Sequence, residues 1–270
     1  MKKLLIVGIT LLLGACLSTA VLAKPTVVAT HAVLGEFAEI VGDNLIEVVT
    51  IIPSGFCPAH YDLRPSDVAA ISRAAMVLYS GIETWMDSLL DAVGGTAHVL
   101  QLKGSWSTPD TASEKVDAIA AALSELLPDN AGTFTDNAAT YKGELASLAT
   151  ALKAQAAALN VEDVSVISMA WQETFVSWLG FNIVATYGMP ENLSLADLVE
   201  LAQVGKENEA ALVIDNLQSG VNFGAKLARE VGAVHVVLSN FPGAMPRTAT
   251  VLDLFAQNAE ALFSAVEPLS

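Results

Sequence analysis

The apolar positions of this chain fall into two kinds of run. Short unbroken runs of Val, Ile, Leu and Ala mark strands buried on both faces. Longer runs with apolar residues every three or four positions mark helices with one buried side. From Lys24 onward the two kinds alternate. Thr26 to Thr30 reads as a strand, His31 to Val41 as a helix ended by Gly42, and Leu45 to Ile52 as a second strand. Pro65 to Ala75 reads as a helix with Ser66 as its cap. Met76 to Tyr79 is a third strand, followed after Gly81 by a helix through Val93. Ala97 to Leu102 is a weaker fourth strand. This alternation predicts βαβ units and a parallel sheet.

The middle breaks the pattern. Ser113 to Leu127 and Thr133 to Leu159 are rich in Ala, Leu, Glu and Lys, with Pro128-Asp129-Asn130 between them. The second run has no proline, and its one glycine is Gly143. It predicts a single helix of roughly 40 Å at 1.5 Å per residue, long enough to bridge two lobes. Alternation then resumes. Val164 to Ser168, Asn182 to Thr186, Ala211 to Ile214 and Val234 to Leu238 read as strands. Helices fall at Trp171 to Leu179, Ser194 to Val204, Val221 to Val231 and Thr250 to Val266. The expected fold is α/β, with two lobes that each carry a four-stranded, mainly parallel sheet flanked by helices, joined by one long helix. Residues 24–132 form the N-terminal lobe, 133–160 the linking helix and 161–270 the C-terminal lobe.

Residues 1–23 read as an export signal. A basic start (Lys2, Lys3) precedes an apolar run, Leu4 to Leu13, that is short for a membrane span, and small residues follow. Leu13-Gly14-Ala15-Cys16 resembles a bacterial lipobox, in which Cys16 would be lipidated. Cleavage after Ala23 is the competing reading. Both put the protein outside the cytoplasm, in the periplasm or at the cell surface.

Charge narrows the partners. Lys and Arg number 13 against 29 Asp and Glu, a net charge of −16. Losing Lys2 and Lys3 takes the basic count to 11 and the net charge to −18. Nucleic acid needs basic patches and is excluded as a partner. Such a charge attracts cations at long range. Once Cys16 is set aside, Cys57 has no cysteine to pair with, so the fold holds without an internal disulfide.

Ligands of parallel α/β sheets bind beyond the carboxyl ends of the strands. The segments in that position are His31, the loop Pro53–His60, Gly81–Glu83, Lys103–Trp106, Met169–Glu173, Tyr187, Asp215–Gln218 and Asn240–Pro242. The stiffest is the proline-rich stretch IIPSGFCPAHYDLRPSD, Ile51 to Asp67, which fixes the directions of Cys57 and His60. His98 and His235 lie inside strands and read as structural. Trp171 and Trp178, with Phe175 between them, read as core. Glu83 reads as a helix-start residue favoured by the positive helix end. Asp215, Asn216 and Gln218 are either site residues or a turn that caps the next helix.

At this point the residues resemble a known family. TVVATHAVLGEFAEIVGD, PSGFCPAHYDLRPSD, MVLYSGIETWMDSLL and the closing VLDLFAQNAEAL, in that order behind an export signal, look like the metal-binding solute receptors of zinc/manganese ABC transporters. That resemblance implies an ion held between the lobes and passed as cargo by a monomeric receptor to an ABC permease. The family's usual ligands are His, His, His or Glu, and Asp. Carried over by position, His60 matches the first. The second falls near Ser105 to Asp110, where no His stands and Trp106 occupies the region. The third falls at Met169, with Glu173 one turn on. The fourth falls at Asn240.

Three cargo readings follow. A zinc or manganese ion would be held by a rearranged set from His60, His31, Glu173 and Asp215. Copper(I) would suit the softer donors Cys57, His60 and Met169. A small metal complex or organic molecule would rest against Trp106, Met169 and Phe241. Two other functions compete: an enzyme with Cys57 as nucleophile and His60 as base, and a surface adhesion protein whose cleft is vestigial.

Overall fold

The computed structural model describes residues 23–94 and 97–267. The export-signal and Cys16 expectations lie outside them. Eight strands form two sheets. In the first, β1 (Thr26–His31), β2 (Glu47–Ile52), β3 (Met76–Tyr79) and β4 (His98–Gln101) run in the order β2-β1-β3-β4. In the second, β5 (Ser165–Met169), β6 (Asn182–Tyr187), β7 (Leu212–Asn216) and β8 (Val234–Leu238) run in the order β6-β5-β7-β8. Every pairing is parallel. The two sheets are one plan built twice. In each, the order reverses beside the first strand, which opens a crevice at the strand ends.

Nine helices are described: α1 (Ala32–Gly42), α2 (Pro65–Ile71), α3 (Met86–Val93), α4 (Pro109–Leu126), α5 (Ala131–Ala158), α6 (Glu173–Leu179), α7 (Leu195–Glu207), α8 (Asn222–Val231) and α9 (Val251–Val266). Several start where local chemistry dictates. Thr108 caps α4 through the Thr111 N–H, with Pro109 at the first helical position. Ser194 and Asp197 cap α7 reciprocally, and Thr250 and Asp253 do the same for α9. α2 starts differently from the reading above. Its cap is Arg64, whose N–H donates to the Asp67 carboxylate, while Ser66 lies inside the helix. It also stops at Ile71, four residues early. There the Arg73 and Ala74 N–H groups bond back three residues, and the Ala75 N–H turns to the Thr26 carbonyl at the sheet.

Strand periodicity assigns the faces. Val27, Ala29, Met76 and Leu78 of the first sheet, and Val166, Leu212, Ile214 and Val236 of the second, enter one continuous core. Helices α1, α4, α5, α6 and α9 line that core between the sheets. The opposite faces form two smaller cores. Val28, Val77 and Ile71 sit in one, and Ile167, Val213 and Leu227 in the other. α5 is the rod of the shared layer, with 28 residues in one run. It packs on α1 and α4 of the first half and on α6 and α9 of the second. Polar bonds also cross the seam. Trp178 donates to Asp110 at 2.8 Å, Gln218 to the Ser54 carbonyl at 3.0 Å, and the Val251 N–H to the Glu36 carboxylate at 2.8 Å.

Candidate functional site

The carboxyl ends of β3, β4, β5 and β8 lead into loops that meet at the seam. Ser80 follows β3, Gly104 to Ser107 follow β4, Ala170 to Thr174 follow β5, and Asn240 follows β8. Together they enclose a cavity of about 300 Å³. Its polar groups are the hydroxyls of Ser80, Ser105, Ser107 and Thr174 and the Asn240 amide, and its flat walls are Trp106 and Trp171. Among the described residues, no charged side chain lines it.

Trp106 ties the seam. It is nearly buried, and its Nε1–H donates to the Asn240 carbonyl at 3.3 Å. Its ring lies 4.6 Å from that of His31 and stacks on Phe241 at 6.0 Å. His31 ends β1 on the face that enters the shared core, and is 1% exposed. Neither of its ring nitrogens has a hydrogen-bond partner among the described residues. Burial drives its pKa down to about 4, against the upward pull of Glu83, so the ring is neutral at physiological pH.

Glu83 differs from its reading as a helix-start residue. α3 begins three residues later, at Met86, and Glu83 is almost fully buried. It accepts hydrogen bonds from the Thr30 hydroxyl, from the Ser80 N–H and hydroxyl, and from the Gly81 N–H. Burial opposes its charge. The adjacent His31 and the bonds from Thr30 and Ser80 favour that charge and win, so the carboxyl titrates below its usual range. Trp171 also departs from expectation. Residues 170–172 form a 3-10 turn rather than the start of α6, and the indole swings out, 43% exposed, to line the cavity. Trp178 stays half-buried beneath the Lys153 ammonium.

The remaining candidates scatter. His60 stands at the rim with its side chain 61% exposed, and its Nε2 lies 3.7 Å from Glu191 of the opposite lobe. Cys57 is a free, half-buried thiol three residues before it. Met169 is buried, and its sulfur accepts the Trp171 N–H at 3.1 Å. Glu173 is exposed at the start of α6. The Asn240 amide oxygen accepts from Gln172 at 2.9 Å. Asp215 is fully buried, with Oδ2 at 2.8 Å from His235 Nε2 and Oδ1 accepting from the Tyr187 hydroxyl. This bond gives His235 the structural part expected of it. Gln218 donates to Ser239 and to the Ser54 carbonyl, so its turn braces the seam as well as leading into α8.

Among the described residues, no group of three His, Cys, Asp or Glu side chains is placed to hold a metal ion. The zinc set drawn from His60, His31, Glu173 and Asp215 is therefore not assembled in this structure. One donor is out at the rim, one is beneath Trp106, one faces solvent and one is tied to His235 and Tyr187. Sequence reasoning passed over Ser80 and Thr174, because lone hydroxyls carry no motif, and read Trp171 as core although it fell in a strand-end segment.

Comparison with known proteins gives a consistent picture. The profile of the ZnuA family, described as zinc-uptake complex component A, periplasmic, matches residues 27–265. The metal ABC transporter substrate-binding lipoprotein SloC of Streptococcus mutans is 37% identical over 87 residues, which is 30% of this chain and 28% of that protein. The manganese ABC transporter substrate-binding lipoprotein ScaA of Streptococcus gordonii is 25% identical over 139 residues, 42% of this chain and 45% of that one. Each match thus spans less than half of the curated relative. The periplasmic zinc-binding protein TroA of Treponema pallidum superposes with a TM-score of 0.79 at 19% identity, covering 90% of this chain and 99% of that structure. A periplasmic metal-binding protein of Candidatus Liberibacter asiaticus, solved with Mn and with Cd, superposes at 0.79 and 0.80 with 17% identity, covering 90% of this chain and all of that one. At these identities the structures speak for the fold.

Proposed function

This chain belongs to the ZnuA family of periplasmic zinc-uptake components, and from that premise we propose that it is an exported receptor of an ABC importer. It captures a small metal cargo between its two lobes and hands it, as a monomer, to a permease in the membrane. The observation that carries this reading is the cavity at the seam. Loops from the carboxyl ends of both sheets build it, where parallel α/β sheets take their ligands. Zinc and manganese are the metals in the names of its relatives, and they enter this proposal as cargo. Export through residues 1–23, with a lipid on Cys16, belongs to the same reading, as do the relatives named as lipoproteins.

The family is one of receptors, and the placement of Cys57 and His60 supports that reading over a Cys-His enzyme. The link between Cys57 and His60 is the backbone bond from the His60 N–H to the Cys57 carbonyl, while the imidazole faces Glu191. Nucleophile activation needs a thiol–base hydrogen bond.

The test is uptake. Deleting the gene should lower cellular accumulation of radiolabelled zinc or manganese, offered as salts and as amino-acid complexes. The full chain should restore it, and a chain without residues 1–23 should not. Unchanged accumulation of both metals in the deletion strain removes the receptor reading.

A further inference from the structure

The seam has room and polarity, but among the described residues it lacks the donors that a bare ion needs. A zinc ion held by protein requires three or four N, S or carboxylate ligands at about 2.0–2.3 Å. Among the described residues, each candidate donor is hydrogen-bonded or lies outside the cavity lining, His31 behind Trp106 included. The Asn240 amide oxygen takes a Gln172 N–H, both Asp215 oxygens are bonded, the Met169 sulfur takes the Trp171 N–H, and His60 is outside the cavity lining. The cavity of about 300 Å³ is far larger than an ion needs and stands at the lower end of organic-ligand pockets. Its uncharged hydroxyls, amide and indole faces are groups that recognise the outside of an organic molecule.

His31 is a second, independent observation. A buried polar group without a partner is costly, and among the described residues this ring has two such atoms. One flat side chain, Trp106, packs on it and also lines the cavity. That indole is the wall between the cavity and the unpartnered imidazole.

Resting on the receptor reading above, we propose that the cargo is a metal ion already enclosed by a small organic chelator, in a complex with no net charge. The chelator supplies the donors to the ion, and the cavity supplies hydroxyls and indole faces to the chelator. No ligand exchange occurs at capture. The uncharged lining selects a neutral complex, because a buried charge without a partner is costly. Trp171, exposed at the entrance, is one stacking wall, and Trp106, held to Asn240, is the fixed one.

The probe is bis(L-histidinato)zinc(II), which is neutral at neutral pH. The purified exported chain, stripped with EDTA and dialysed, is titrated with this complex, with zinc chloride, with manganese chloride, with L-histidine and with zinc citrate, an anionic complex. Tryptophan fluorescence and melting temperature are read. The histidine complex should bind saturably, at least 100-fold tighter than either salt, histidine alone or the citrate complex. Trp171→Ala should weaken it at least tenfold without changing the melting temperature of the empty protein. Stoichiometric retention of zinc or manganese from the simple salts, by elemental analysis, overturns the chelate proposal and leaves the receptor reading intact. Equal binding of histidine alone or of the anionic complex also overturns it. Absence of saturable binding by every probe removes both readings.

Discussion

The imidazole of His31 lies 4.6 Å from the indole of Trp106, and neither of its nitrogens meets a hydrogen-bond partner among the described residues. A neutral, aromatic histidine of this kind carries a stability signature. Its folded pKa is about 4, against 6.5 for a free imidazole. Between those values the unfolded chain takes up a proton that the folded chain refuses. The contribution of His31 to stability is therefore complete above pH 6.5 and is lost as pH falls toward 4. His31→Phe keeps the stacking and removes the titration. Denaturant unfolding should show the native protein losing roughly 2 kcal/mol relative to His31→Phe between pH 6.5 and 5. Parallel pH profiles for the two proteins would contradict this.

Glu36 should show the opposite slope. Its carboxylate, on α1, accepts from the Val251 N–H at the start of α9 and from the Tyr141 hydroxyl of α5. Burial, helped by the charges of Glu39 and Asp253, raises its pKa to about 7 and outweighs those bonds. The folded protein then holds a proton that the unfolded chain releases near 4.5. The contribution is present below pH 4.5 and is lost as pH rises through 7. Glu36→Gln removes that slope. It should gain on the native protein by roughly 1–2 kcal/mol from pH 4.5 to 7.5, the full shift being reduced by partial exposure.

The Asp215–His235 pair is buried at one end and half-buried at the other. His235→Leu leaves a carboxylate at zero exposure without its imidazole, and should cost about 3 kcal/mol. Adding Asp215→Asn should recover more than half of that loss in a double-mutant cycle. Gly224 of α8 lies directly over the same carboxylate, so that a Cβ there would collide with it. Gly224→Ala should cost about 1–3 kcal/mol, by thermal or denaturant unfolding.

His60 offers a direct check on the ion-binding expectation. Its ring is mostly exposed, and Glu191 is its carboxylate neighbour. His60→Ala should leave the metal content of the purified protein unchanged by elemental analysis. A loss of stoichiometric metal would restore His60 as the principal donor.

The alternation of apolar runs was enough to read the two sheets and the helix between them, because parallel strands buried on both faces leave an unbroken signal. The long α5 was equally plain, since no proline interrupts it between Ala131 and Ala158. The site was less legible. Trp171 sits at helical spacing from Phe175 and Trp178, and the 3-10 turn at residues 170–172 turns it out toward the seam. Glu83 reads as a helix-start residue, yet it is buried, with Thr30, 53 positions away, among its donors. The pairing of His31 with Trp106 and Phe241 spans more than 200 positions of chain, and no local pattern announces it.

The interior that α1, α4, α5, α6 and α9 share has a consequence for how this molecule can be divided. Val27 of the first strand and Phe255 of the last helix belong to one cluster, so neither sheet has a complete interior of its own. A fragment ending anywhere along the rod would expose an oily wall. Such a fragment would clump or be degraded rather than stand as a smaller protein. Grafting one half onto a homologue's other half would fail unless the partner's rod came with it. The unit that evolution can copy, trade or tether is the whole clamp.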